Sequence, residues 1–407
     1  MKKLFLLSIL LWGGLYMSVA AEKVEGIRFT IRGDIEGIAP GDTLSFERVI
    51  FPGWEFVPAF DVIVEEPNRF VYSGTDLHTQ SYFMTYKPVS GKKIFTDRGG
   101  ISLLIRNDEI KLKGTADNIY YSKIEGGVFD DPYLQKMKAF EDSLGIVRAN
   151  FSRLKNEAYI AGDTLKGKEY GNKFNSFRLD HEAEYDRLSE LEKEFYENSI
   201  DSEWLVCEML QEAPYTPIDE LRAKLERMTP EVQSSYYGKL LKQEIEHMAQ
   251  LAPGNDAPDF SVVTLDGKNI SLKDMLGSYV LIYHWGLCPG SLAIDRKVTE
   301  FYEKYKDHLR IIGITADINS MRELYSKSKP GDKIVDIELK PALENMLAHP
   351  WYDAESKGGN EQVKTDYAFG GLPYFVFISP EGKILARDFH DAFYKAKEIM
   401  ESEFAQE

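Results

Sequence analysis

An α/β carboxy-terminal domain, preceded by a β-sandwich-like domain and a helical middle segment, is the architecture that this 407-residue sequence predicts. Three observations carry it. Short apolar runs punctuated by Gly, Asp and Asn fill residues 23–125. From about 131 to 250 the apolar spacing changes to a helical period. Beyond LAPGNDAPDF (251–260), a stretch carrying Pro253, Gly254 and Pro258, strands and helices alternate. The expected divisions are an export leader at 1–21, a β-rich domain at 22–128, a helical spacer at 129–250 and the α/β domain at 251–407.

The leader opens with the basic MKK, continues as the apolar LFLLSILLWGGLYM and ends in the small residues of SVAA, with Ala20 or Ala21 the last residue removed. An uncleaved anchor is the alternative, because Leu4 to Ala21 is just long enough to span; the small-residue exit favours cleavage. No cysteine follows the apolar run, which argues against a lipid-modified terminus. No later segment is apolar enough to span, so no stable membrane insertion is expected once the leader is gone. The expected location is the periplasm or cell envelope. A net charge of −17 without a basic stripe disfavours nucleic-acid binding, so no nucleic-acid partner is expected. An exported chain meets oxidising conditions, so its two cysteines form either a Cys207–Cys288 disulfide or two separate thiols.

In the β-rich part, IRFTIRG puts Ile27, Phe29 and Ile31 on one face, and RFVYSG, SYFMTY, ISLLIR and EIKLKG are further strands of an antiparallel sheet or small sandwich. Asp108, Glu109 and Asp117 lack cation-loop spacing and read as a solvated turn. In the helical part, LDHEAEYDRLSELEKEFYENS reads as one long charged helix. TPIDELRAKLERM starts with Thr216 as N-cap and Pro217 at the first position, and TPEVQSSYYGKLLKQEIEHMAQ repeats that start with Thr229 and Pro230. His181 and His247 have no second ligand one turn on, so no metal is expected. Trp204, Cys207 and Leu210 share a helical face, which makes Cys207 a small buried hydrophobe; a distant resolving thiol is the sharper alternative.

In the last part, DFSVVTLDGKNISL is a hairpin turning at Asp266-Gly267, and Ser271 with Asp274 caps a short helix. YVLIYHW is a buried strand, a helix follows Cys288 to about Tyr305, LRIIGITAD is a second buried strand, YFVFISPEGKILARDF is a strand-turn-strand, and DAFYKAKEIMESEF is the closing helix. Helices are expected on both faces of the sheet. Cys288 stands where a strand hands over to a helix, and the unpaired N–H groups and dipole there favour a thiolate. A thiolate attacks disulfides far better than a thiol does.

With these landmarks in place, residues 254–404 resemble a thioredoxin-fold domain of the TlpA/ResA type within the peroxiredoxin-like superfamily. The landmarks are APDF, TLDGKNISLKDMLGSYVLIYHW, Cys288 and GGLPYFVFISPEGKIL. The β-rich segment resembles a domain of unknown function found ahead of such folds in envelope proteins. The resemblance implies thiol–disulfide exchange without a cofactor, with Cys288 as nucleophile and Ser291 as its partner in a CxxS turn. It also implies a substrate-binding surface of Trp285, Pro289, Leu372 and Pro373, with Pro373 as the cis-proline. Three departures stand out. Ser291 replaces the second cysteine, Tyr283 takes the place of the acid usually buried before the tryptophan, and His284 stands where an aromatic is common. His284 is either a cation beside the thiolate or a ring packed at the strand end. What remains is an attacking thiolate that can capture the thiols or disulfides of envelope proteins but needs an outside reductant, or a second substrate cysteine, for release. A redox-silent binding module is the rival function. A peroxidase is a lesser one, because no Pro-x-x-x-Thr-x-x-Cys run leads into Cys288.

Overall fold

The computed structural model describes residues 26–52, 55–316, 318–327 and 339–405; the expected leader lies outside the described residues. The amino-terminal part holds β1 (Ile27–Glu36), β2 (Thr43–Ile50), β3 (Glu55–Ile63), β4 (Arg69–Asp76), β5 (Gln80–Lys87), β6 (Ile101–Ile105), β7 (Glu109–Thr115) and β8 (Lys123–Glu125). They form two four-stranded sheets, ordered β4-β1-β7-β8 and β3-β2-β5-β6. Period-two alternation gives each strand one apolar face, so Phe29, Ile31 and Ile35 of β1 meet Leu44, Phe46 and Val49 of β2 in a shared core. The sandwich is mixed rather than wholly antiparallel, because β1 pairs parallel with β7.

The helices are α1 (Pro132–Ile160), α2 (Thr164–Asp180), α3 (Glu182–Asn198), α4 (Glu203–Glu212), α5 (Ile218–Arg227), α6 (Pro230–Gln233) and α7 (Tyr236–Gln250). Three local expectations are corrected. The expected long helix is broken at His181, whose ring stacks on Phe177 at 4.0 Å and whose Nδ1 lies 2.9 Å from the Phe177 carbonyl. Thr216 does not cap α5; its hydroxyl donates back to the Glu212 carbonyl at 3.0 Å, and Pro217 is the N-cap. Thr229 does cap α6, but Ser235 starts a separate helix by accepting from the Gly238 N–H at 3.1 Å. Far from spacing two domains apart, the helices bury Leu191, Phe195, Leu205, Leu210 and Leu241 in the core of the sandwich.

The carboxy-terminal part runs β9 (Ser261–Val263), β10 (Asn269–Ser271), β11 (Tyr279–Trp285), α8 (Pro289–Tyr305), β12 (Leu309–Thr315), α9 (Ile318–Lys327), α10 (Leu339–Met346), β13 (Tyr352–Glu355), α11 (Gln362–Asp366), β14 (Tyr374–Ile378), β15 (Ile384–Asp388) and α12 (His390–Glu403). Five strands form one sheet in the order β13-β12-β11-β14-β15, with β11 central, parallel to β12 and antiparallel to β14. All seven residues of β11 are buried, as a continuous apolar run requires when both faces are covered. Leu281, Tyr283 and Trp285 face Val298, Leu343 and Phe393 of α8, α10 and α12. Val280 and Ile282 face Val262 of the hairpin and Val363 of α11. The expectation of helices on both faces is therefore only half met: the second face is closed by a hairpin and one five-residue helix. Among the described residues no helix is long and apolar enough to cross a membrane.

Candidate active site

β11 ends at Trp285, the chain turns through Gly286 and Leu287, and Cys288 begins α8 as its N-cap in extended conformation, φ −133° and ψ 156°. Pro289 follows at the first helical position, where its missing N–H costs nothing and its fixed φ suits the turn. Cys288 Sγ accepts the Ser291 N–H at 3.3 Å and lies 3.2 Å from Ser291 Oγ and 3.4 Å from the Leu372 carbonyl oxygen. As a thiol, the sulfur has one proton to share between those two oxygens. As a thiolate, it has the Ser291 N–H and O–H as donors. Ser291 is fully buried and its Oγ also accepts from the Gly286 N–H at 3.3 Å, so its position is fixed from two sides.

The expected substrate residues are not equivalent. Pro289 is exposed, Leu372 is half-buried beside the sulfur, and Pro373 is buried behind it with a cis Leu372–Pro373 bond. Trp285 is corrected: it is fully buried, its indole N–H donates to Asp353 Oδ1 at 3.0 Å, and it cannot touch a substrate. Two glycines let the loop sit against the turn. A Cβ on Gly286 would stand 2.8 Å from Leu372 Cδ1, and one on Gly290 would stand 2.8 Å from Pro373 Cδ. His284 settles between its two expected roles. Its Nδ1 donates to the Gly371 carbonyl at 2.9 Å and its ring stacks on Phe369 at 4.9 Å. Burial, reinforced by Lys364, lowers its pKa to about 4, so it anchors the loop as a neutral ring and is no cation for the thiolate. From the helical part, Tyr215 stacks on Phe389 at 5.0 Å and its hydroxyl donates to the Gly370 carbonyl at 3.1 Å.

Beneath the turn lies a cluster that the sequence reading missed. Tyr283 stacks on Phe375 at 4.8 Å and donates to Asp295 Oδ1 at 3.1 Å. Burial raises its pKa well above the usual value, and the charges of Asp295, Asp353 and Cys288 push the same way. His349 bridges Asp295 and Asp353. Burial opposes its charge, but the hydrogen bonds to the two carboxylates outweigh that and raise its pKa to about 9. One signal was available: Asp295 falls on the apolar stripe of α8, between Ser291 and Val298. Asn345, His349 and Asp353 arrive from the end of α10, the connection after it and β13, with no pattern to mark them.

Both cysteines are free. Cys207 is 2% exposed within the sandwich–helix core, and burial, aided by Glu203 and Glu208, pushes its thiol well above its usual pKa.

The sequence pattern of the AhpC/TSA family matches residues 253–387. The thiol-disulfide oxidoreductase ResA of Bacillus thuringiensis subsp. konkukian (strain 97-27) is 31% identical over 152 residues, covering 37% of this chain and 74% of that protein. ResA of Bacillus cereus (strain ATCC 10987 / NRS 248) is 32% identical over 152 residues, covering 37% and 72%. Among solved structures, the thioredoxin domain of a thiol-disulfide oxidoreductase from Bacteroides vulgatus matches at 24% identity and a TM-score of 0.28, covering 37% of this chain and 98% of that one. A thiol:disulfide interchange protein from Bacteroides sp. matches at 23% and 0.30, covering 39% and 95%. The match of residues 253–387 to the AhpC/TSA family gives the carboxy-terminal part the thioredoxin fold.

Proposed function

Because the chain belongs, through its carboxy-terminal domain, to the AhpC/TSA family and its ResA-type thiol–disulfide oxidoreductases, we propose that Cys288 carries out thiol–disulfide exchange as a single nucleophile. The observation that supports this most is the surroundings of its sulfur: two donors from Ser291 on one side and the Leu372 carbonyl on the other. The Cys288 thiolate attacks a disulfide sulfur of a partner, a Cys288–partner S–S bond forms, and the partner's other sulfur leaves with the electron pair. The half-buried Leu372 backbone beside the sulfur offers an extended partner chain a place to pair. Ser291 stabilises the thiolate but cannot expel the partner, because an alkoxide does not form at neutral pH and a hydroxyl does not displace a thiol. Release is left to an external thiol, or to a second cysteine of the partner, which isomerises the partner's disulfide.

The partners in this reading are exported envelope proteins, a proposal that rests on the leader-like sequence of residues 1–21. The test is to add the purified full chain to an envelope extract, block free thiols with acid and alkylating reagent, and identify mixed disulfides by mass spectrometry. Partners held by a bond to Cys288 that dithiothreitol reverses and Cys288→Ala abolishes are the expected result. The same partners retained by Cys288→Ala would make the domain a redox-silent binding module.

A further inference from the structure

Asp295, His349 and Asp353 are sealed under the active-site turn, with side chains 2%, 0% and 9% exposed. His349 Nε2 stands 3.0 Å from Asp295 Oδ1, and Nδ1 stands 2.9 Å from Asp353 Oδ2. An ionised carboxylate only accepts hydrogen bonds. Two such acceptors on one ring call for two ring protons, so one positive and two negative charges leave a net of one negative charge. Passing a proton from the ring to either carboxylate leaves that sum unchanged.

The cluster is boxed in by aromatic rings, with Trp351 stacked on His349 at 4.3 Å and Trp285 edge-on to it at 4.7 Å. It is also connected towards the nucleophile. Asp295 accepts from the hydroxyl of Tyr283, which lies on the strand leading into the Cys288 turn, and Asp295 itself lies on α8, the helix that Cys288 caps. Asp295 further accepts from Asn345 Nδ2 at 2.5 Å, which leaves it no room to turn away. Among the described residues, further titratable neighbours of the turn include His284 of β11, held neutral as described, and His390 of α12, whose ring lies 3.5 Å from the position of a Cβ on Gly290.

We propose that Asp295, His349 and Asp353 are positioning residues for the exchange reaction, holding one fixed negative charge beneath Cys288 that disfavours its thiolate and so prolongs the mixed disulfide. In the release step an external thiolate attacks the partner's sulfur, the new S–S bond forms there, and the bond to Cys288 breaks with the electron pair leaving on Cys288 Sγ. A thiolate that is costly to form is a poor leaving group. A fixed charge in a poorly screened interior acts over several ångströms, so the cluster opposes the helix N-terminus that favours the same thiolate. The site is thereby biased towards holding a partner, which suits a turn with no resolving thiol. The inference rests on Cys288 being the attacking thiol.

The test uses the full chain and two readouts: the pH dependence of iodoacetamide alkylation at Cys288, and the rate at which excess glutathione frees a glutathione-loaded Cys288. Asp295→Asn removes one negative charge. Its alkylation profile should move to lower pH by about one unit, about tenfold in thiolate fraction at a fixed pH, and release should quicken several-fold. His349→Gln removes the positive charge and should move both readouts the other way. If Asp295→Asn does not fold, Asp353→Asn removes the same charge from the other side of the ring and carries the same expectation. A neutralised variant with an unmoved profile, or both kinds of variant shifting in one direction as mere loosening would produce, overturns the proposal. Shifted alkylation profiles with no glutathione adduct at all would support the charge assignment while removing the exchange reading.

Discussion

Cys288 and Cys207 differ in access and in solvation. Cys288 is half-exposed at a helix N-terminus, whereas Cys207 is sealed in a core where burial and two nearby glutamates oppose its ionisation. Alkylation of the native chain at mildly acidic pH should therefore label Cys288 at least ~100-fold faster than Cys207, since labelling of a buried thiol waits on opening of the fold. Comparable rates at the two positions would contradict the assignment. His349 gives a second expectation. Its pKa rises from 6.5 in the unfolded chain to about 9 in the folded one. A raised pKa contributes stability that is complete below about 6.5 and lost as pH climbs through about 9; the shift corresponds to roughly 3 kcal/mol. Denaturant midpoints of the native chain should fall over that window relative to those of His349→Gln, and parallel curves would show that the ring does not titrate there. At this scale the place of Cys288 at the strand-to-helix turn was legible because one residue, set between a buried strand and a capped helix, fixes its own surroundings. The buried trio was not, because it depends on where a connection and a strand bring His349 and Asp353 against Asp295 of α8, and single residues carry no such information.

At the scale of elements, the strands of the sheet were legible from continuous apolar runs, since β11 and β14 are buried on both faces and their sequences contain little else. Helix ends were less so. The break at His181 has no glycine or proline; it is made by a ring folding back onto Phe177, a tertiary choice that a periodic pattern does not record. The geometry of the turn before α8 supports a direct test. Cys288 Sγ and Ser291 Oγ are 3.2 Å apart, so a sulfur at position 291 needs only a small closure to reach disulfide bonding distance. Ser291→Cys should oxidise to an intramolecular disulfide, lowering the count of titratable thiols in unfolded protein to that of Cys207 alone. It should also shed glutathione from Cys288 without added thiol. Two thiols still titratable at 288 and 291 after oxidation would mean that the turn is not a dithiol frame with one sulfur replaced.

At the scale of the molecule, the helical segment is neither a spacer nor a bystander. It completes the core of the sandwich, and through Tyr215 it also holds the Gly370 carbonyl two residues before Leu372. Pro214 crowds the same place, since a Cβ on Gly370 would stand 2.4 Å from Pro214 Cβ. The loop beside Cys288 is thus shaped from two sides, by His284 within its own domain and by Tyr215 from outside it. Tyr215→Ala should slow formation of mixed disulfides with a peptide disulfide by about fivefold, the worth of one hydrogen bond of about 1 kcal/mol, while leaving iodoacetamide alkylation of Cys288 unchanged. An equal loss in both reactions would place the effect on the nucleophile instead of on the loop.

In the proposed reaction Cys288 attacks disulfides and, lacking a second thiol in its turn, stops at the mixed disulfide. Intact-mass measurement of the reduced, native chain after incubation with glutathione disulfide and an acid quench tests it most directly. A single glutathione on Cys288, stable until thiol is added and absent from Cys288→Ala, is the expected result. No adduct, or an adduct on Cys207 alone, would contradict it.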